Sequence, residues 1–162
     1  MQKEFIADLK KSFEQGFLSD TVKAGGHTWY MQTLNGLETI WRDRYVDFSI
    51  SASFVSSQKV PTLAISIKSI DGVPVVDVFG EFTKTEDGNV IPRPMNMRED
   101  DFNSVEFKAA EELRKFLEHD VPDGVIDELW SAYNILVAKS KSVMKEVVKK
   151  DDTTFRPEDQ GK

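Results

Sequence analysis

The stretch TWYMQTLNGLETIWRDRYVDF, residues 28–48, changes its period half-way along, and that change decides the fold class. Before Asn35 the residues are largely β-branched or aromatic and suit a strand. After it, Leu37, Trp41, Arg44 and Phe48 follow in steps of four and three, the spacing of one helix face. Asn35 is followed three residues later by Glu38, a capping box with Asn in place of Ser or Thr, in which two side chains satisfy the first free N–H groups of a helix. A helix therefore starts at about Gly36. Its other faces carry Glu38, Arg42, Asp43 and Asp47, charges that pair with one another or with water at small net energy. The expected role of this helix is scaffold.

Working outward, Phe5, Ile6, Leu9, Phe13 and Phe17 recur at helical spacing and predict an amphipathic first helix closing near Gly16, with an apolar face that needs a neighbour. Thr21 to Ala24 and Thr28 to Leu34 are strand-like runs on either side of Gly25-Gly26, a pair that supplies the positive φ angles of a tight hairpin. On the other side, SISASFVSSQ (49–58) reads as a hydroxyl-rich loop. Leu63, Ile65 and Ile67 then alternate with Ala64, Ser66 and Lys68, predicting two strands about Asp71-Gly72, although Leu63, Ile67 and Ile70 also fit a helical face. Pro74 confines the second strand to an edge or a bulge. Residues 83–100, with a second Asp-Gly pair, read as an exposed hairpin or long loop.

From Asp101 the residues are strong helix formers, with Phe107, Ala110, Leu113 or Arg114, and Leu117 along one stripe. Val121-Pro122-Asp123-Gly124 breaks that helix and begins another. In the second, Ile126, Leu129, Tyr133, Leu136, Ser140, Val143 and Val147 form a heptad seam, while Val125, Trp130, Val137, Met144 and Val148 widen the apolar surface. Such a helix has more apolar surface than one neighbour covers, which marks an association site. Leu129, Trp130, Tyr133, Leu136, Val137 and Met144 are the expected partner-binding residues. The fold expected is one α+β domain over residues 1–150, with mixed β-hairpins and helices over 1–100, an αα-hairpin over 101–150, and a polar, disordered tail over 151–162.

Composition narrows the function. The 162 residues carry a formal charge of -7, with a pI near 4.9, so nucleic acid is a poor partner. No cysteine is present, which removes thiolate metal sites and thiol nucleophiles and fits a reducing cytoplasm. No segment has the apolar run of a signal peptide or membrane span, and scattered charges argue against membrane attachment. The two histidines, His27 and His119, are too few for an imidazole-rich metal site. Ser56 to Lys59 and Ser142 to Lys145 have the S-x-x-K spacing without the further motifs that give it meaning, and no G-x-S-x-G elbow or phosphate-binding loop occurs. Trp29, Trp41 and Trp130 lack the basic groove that base stacking needs. The expectation is a protein that is not an enzyme, with no catalytic, cofactor-binding or metal-ligating residues.

The order of GGHTWYMQTLNGLETIWRDRY (25–45), then PTLAISIKSIDG (61–72), then an acidic helical part resembles the tail assembly chaperones and related baseplate assembly proteins of tailed bacteriophages. In those families a strand pair around a glycine turn leads through a Thr-Leu step into a helix, and a later apolar segment ends near an Asp-Gly turn. The matching positions are Gly25, Gly26, Trp29, Leu34, Glu38, Trp41 and Arg42, followed by Leu63, Ile67, Asp71 and Gly72. The resemblance implies a non-enzymatic chaperone in the cytoplasm of the infected host cell. It would bind a helical tail component, the tape measure or a baseplate hub, before the tube polymerises. A structural virion protein of the tail, baseplate or head-tail connector is the alternative, and an acidic host-directed inhibitor the second. Self-association into a homo-oligomer would also occupy the apolar seam.

Overall fold

In this computed structural model residues 2–14, 16–49, 51–79 and 102–155 are described, with backbone alone at 51–55 and 147–155. Two tight turns set the sheet. Gly25 (φ 60°) and Gly26 (φ 79°) both occupy the left-handed region, which gives a two-residue turn whose twist matches its strands. They join β1 (Ser19–Ala24) to β2 (His27–Gln32), paired antiparallel from Ala24 opposite His27 to Ser19 opposite Gln32. A second such turn, at Asp71 (φ 51°) and Gly72 (φ 80°), closes β3 (Ile67–Ile70) on the short β4 (Val73–Pro74). β3 pairs antiparallel with β2, giving the order β1-β2-β3-β4. Pro74 therefore lies in an edge strand, as its missing N–H requires. Trp29 and Met31 are buried on one face of β2, and Tyr30 and Gln32 are on the other, where the Gln32 amide donates to the Tyr30 hydroxyl at 3.3 Å.

The described helices are α1 (Gln2–Glu14), whose residues are all exposed, and α2 (Gly36–Asp43), α3 (Ser51–Ser66), α4 (Val75–Phe79), α5 (Val105–Asp120) and α6 (Asp123–Phe155), which build the core with the sheet. The class is α+β. The capping box forms as its residues require, with Glu38 N donating to Asn35 Oδ1 at 2.8 Å and Asn35 N donating to Glu38 Oε1 at 2.9 Å. Such a cap stabilises a helix by about 1 kcal/mol. α2 stops at Asp43, so Phe48 does not extend its face and is exposed. Trp41 is buried, with the Tyr45 ring at 5.0 Å and Phe107 at 6.4 Å, and the Arg114 guanidinium lies 4.3 Å over Tyr45. Arg42 pairs with Asp43 at 3.0 Å, and Lys68 with Glu38 at 2.5 Å. The arginine-bearing helix is thus a wall of the core.

The largest departure from the sequence reading lies at residues 51–66. The loop and the strand expected there form one helix, α3, which runs through Pro61. Every residue from Pro61 to Ile67 is buried, because α3 packs against α2, α5, α6 and the sheet. A segment buried all round carries no amphipathic period, and the alternation of Leu63, Ile65 and Ile67 is a coincidence of small residues between them. α5 packs against α3 and α4, and α6 against α3 and β1, so α3 is the element both share. Trp41, Met31, Leu63, Ile67, Leu113 and Leu129 are the fully buried centre, each contributing about 1.5–3 kcal/mol by removal from water. α6 continues to Phe155, which makes the first five residues of the expected tail helical. The rest of that tail and the expected loop at 83–100 lie outside the described residues.

Candidate functional site

The α6 seam faces inward from Ile126 to Leu136. Leu129, Tyr133 and Leu136 are 0 %, 6 % and 3 % exposed, so in the folded chain they cannot meet a partner, and their expected role is corrected accordingly. The steps of three and four were those of a helix packed on its own chain, against α3 and β1. Burial also pushes the Tyr133 phenol above its ordinary pKa. Trp130 is half-buried, its ring stacked on Tyr133 at 5.9 Å, and Val137 lines a shallow depression of about 200 Å³ with Leu34 and Arg42. Met144 is covered by Gly16, where an added Cβ would lie 2.8 Å from the methionine sulfur. The Ser140 hydroxyl donates to the Gly16 carbonyl at the same junction. Up to Met144 the apolar residues expected to widen this surface are thus partly covered within the molecule, whereas Ile135, on the outer side of α6, is exposed.

The surplus instead appears on α1. All 13 of its residues are exposed, including Phe5 (63 %), Ile6 (51 %), Leu9 (39 %) and Phe13 (54 %). At about 100° per residue these four fall within about a quarter-turn of the helix. Phe17, also exposed, follows just beyond the helix end. The opposite face balances Lys3, Lys10 and Lys11 against Glu4, Asp8 and Glu14. Among the described residues the hydrogen bonds that hold this end of the chain come after the helix, where Leu18 N donates to Thr33 Oγ1 at 3.1 Å and Thr33 N to the Leu18 carbonyl at 3.0 Å. The helical spacing of this stripe was legible; its lack of cover was not.

A third feature sits at the end of the sheet where both tight turns fall. His27 Nδ1 lies 2.5 Å from Asp71 Oδ2, and Thr28 N donates to Asp71 Oδ1 at 2.8 Å. The Thr28 N–H first, and the His27 hydrogen bond second, hold the Asp71 carboxyl below its ordinary pKa. The pair stands beside an apolar cavity of about 440 Å³ walled by Trp29 and Ile70 of the sheet, Val75 and Phe79 of α4, Phe116 of α5 and Val125 of α6. Phe79 and Phe116 meet at 5.6 Å, and the Trp29 indole N–H is fixed to the Ala24 carbonyl at 2.9 Å. Asp120 also lines the cavity.

No protein family, curated protein or solved structure matches this chain. The positions that carry the phage resemblance are largely framework: Gly25, Gly26, Asp71 and Gly72 form the turns, and Trp29, Trp41, Leu63 and Ile67 are core. Among the described residues no three His, Asp or Glu side chains converge on a point that could hold a metal ion, and no helix is long and apolar enough to cross a membrane. Among the described residues two features stand out on the surface, an uncovered apolar stripe on α1 and an apolar cavity with acidic and imidazole groups in its lining, beside single exposed residues such as Ile40, Phe48 and Ile135. The first suits a protein partner and the second a small ligand.

Proposed function

We propose that the chain is a non-enzymatic assembly factor that holds an amphipathic helix of another protein against α1. The observation that carries this reading is the uncovered stripe Phe5, Ile6, Leu9 and Phe13, continued by Phe17. At their exposures these side chains present roughly 500–600 Å² of apolar surface, at the upper end of what a monomer leaves open. A helix laid along them would raise the total buried area to about 1,000–1,200 Å², the size of a specific but releasable contact. The charge of -7 favours a basic partner and keeps the complex soluble. With the resemblance carried by residues 25–45 and 61–72, the partner proposed is a helical component of a phage tail, the tape measure or a baseplate hub, held before the tube polymerises.

The test is a pull-down of the tagged chain from infected-cell lysate, with mass spectrometry of the captured proteins and of purified virions in parallel. A long helical tail protein should be recovered, and it should stay bound at moderate salt because the contact is apolar. Phe5→Asp with Phe13→Asp should lose it while keeping an unchanged circular dichroism spectrum. Retention by that variant would remove α1 from the contact. Abundant copies in virions would replace the chaperone with a structural subunit.

A further inference from the structure

We propose that the cavity beside the two tight turns is a binding site for a small amphiphilic amine, its apolar body among Trp29, Val75, Phe116 and Val125 and its ammonium group toward Asp120 and Asp71. This inference is independent of the role of α1. The cavity, about 440 Å³, falls within the range of small-molecule sites, which are mostly apolar with a few placed polar groups.

The sign of the polar group follows from the lining. Among the described residues Asp71, Asp120 and His27 are the titratable groups of the lining, and no described Lys or Arg lines the cavity. Asp71 is already engaged by Thr28 and His27, which orient its carboxylate and keep it ionised. The Asp120 carboxylate, at the C-terminal end of α5, makes no hydrogen bond or ion pair to any described residue, and the carbonyl end of that helix adds negative potential beside it. Pro122, the next lining residue but one, has no N–H to offer an anion. A cation is therefore favoured and a carboxylate repelled.

The walls are fixed before any ligand arrives. The Trp29 indole is hydrogen-bonded in place, Phe79 leans on Phe116, and Val125 lies so close to Gly25 that an added Cβ there would be 2.9 Å from its Cγ2. A preformed site loses little affinity to ordering.

The experiment is a titration of ¹⁵N-labelled full-length chain at pH 7 with three matched probes: 4-phenylbutylamine, 4-phenylbutanol and 4-phenylbutyrate. The amine should bind about tenfold more tightly than the carboxylate, with the alcohol between them. Its shifts should centre on the amides of Gly25, Trp29, Val75 and Val125. Asp120→Asn, an exposed change at a helix end, should remove most of the amine's advantage over the alcohol and leave alcohol binding unchanged, the spectrum itself confirming the fold. Equal binding of amine and carboxylate, preference for the carboxylate, shifts centred elsewhere, or no binding of the amine would each overturn the proposal. So would an Asp120→Asn variant that keeps the full preference.

Discussion

Replacing Leu129 by Ala distinguishes a core seam from a partner surface. Leu129 is fully buried between α6 and its neighbours, whereas Phe13 on α1 is 54 % exposed. Truncating Leu129 removes three buried carbons at about 0.8 kcal/mol each and leaves a cavity term of about 1 kcal/mol, a total near 3–4 kcal/mol. For a chain of this length that lowers the melting temperature by about 6–16 °C. With a urea m-value of about 2 kcal/mol/M, the midpoint falls by roughly 1.5–2 M at unchanged slope. Phe13→Ala, by contrast, should change stability by about 0.5 kcal/mol or less. Urea titration followed by circular dichroism at 222 nm reads both. A loss below about 1 kcal/mol for Leu129→Ala would refute the inward seam, and a Phe13→Ala loss as large as that of Leu129→Ala would show that α1 packs on the body. The same reasoning makes Leu129→Asp with Leu136→Asp an unfolding variant, unfit to probe a partner contact.

Three further outcomes follow from individual sites. The Thr62 hydroxyl is buried in α3 without a hydrogen-bond partner among the described residues, so Thr62→Val should be neutral or should raise stability by about 1 kcal/mol in the same urea assay. Gly25→Ala should cost about 2–4 kcal/mol, adding a clash with Val125 to the strain of positive φ. Gly26→Ala, with open space around its Cβ, should cost only the strain, about 1–2 kcal/mol, and equal losses would contradict the close approach. The Asp71 carboxyl is held below its ordinary value of 3.8, so its contribution is complete above that pH and is lost as pH falls through the lower folded value. The stability gap between wild type and Asp71→Asn should shrink on acidification below about pH 4, and a gap constant from pH 7 to 2 would remove the hydrogen bonds as its source.

Local chemistry was the legible part of the fold. Asn35 and Glu38 announce a helix start because each satisfies a backbone group within three residues, and Gly25-Gly26 and Asp71-Gly72 announce turns because few other pairs adopt two positive φ angles in succession. α5 was legible because only one of its faces is buried, so Phe107, Ala110, Leu113 and Leu117 stand out from the charges between them. α3 failed for the opposite reason. With Thr62, Leu63, Ala64, Ile65 and Ser66 all enclosed, its sequence records burial but not period, and alternation of large and small residues then imitates a strand.

The surfaces were less legible because exposure is a property of the assembled chain. Phe5, Ile6, Leu9 and Phe13 on α1, and Leu129, Tyr133 and Leu136 on α6, show the same spacing, and nothing within either segment says which stripe the body will cover. The difference lies in what each segment's neighbours allow. α6 has β1 and α3 against it, whereas every described residue of α1 is exposed and the hydrogen bonds that join this end of the chain to the body lie beyond the helix, at Gly16 and Leu18. The His27–Asp71 pair shows the same limit in polar form. The residues are 44 positions apart and meet because β2 pairs antiparallel with β3, which brings the start of one strand beside the end of the other. Two tight turns placed at one end of a meander imply that meeting once the strand order is known. A stripe or a pair becomes a site through topology, and here topology turns Leu129, Tyr133 and Leu136 into core and leaves the stripe on α1 uncovered.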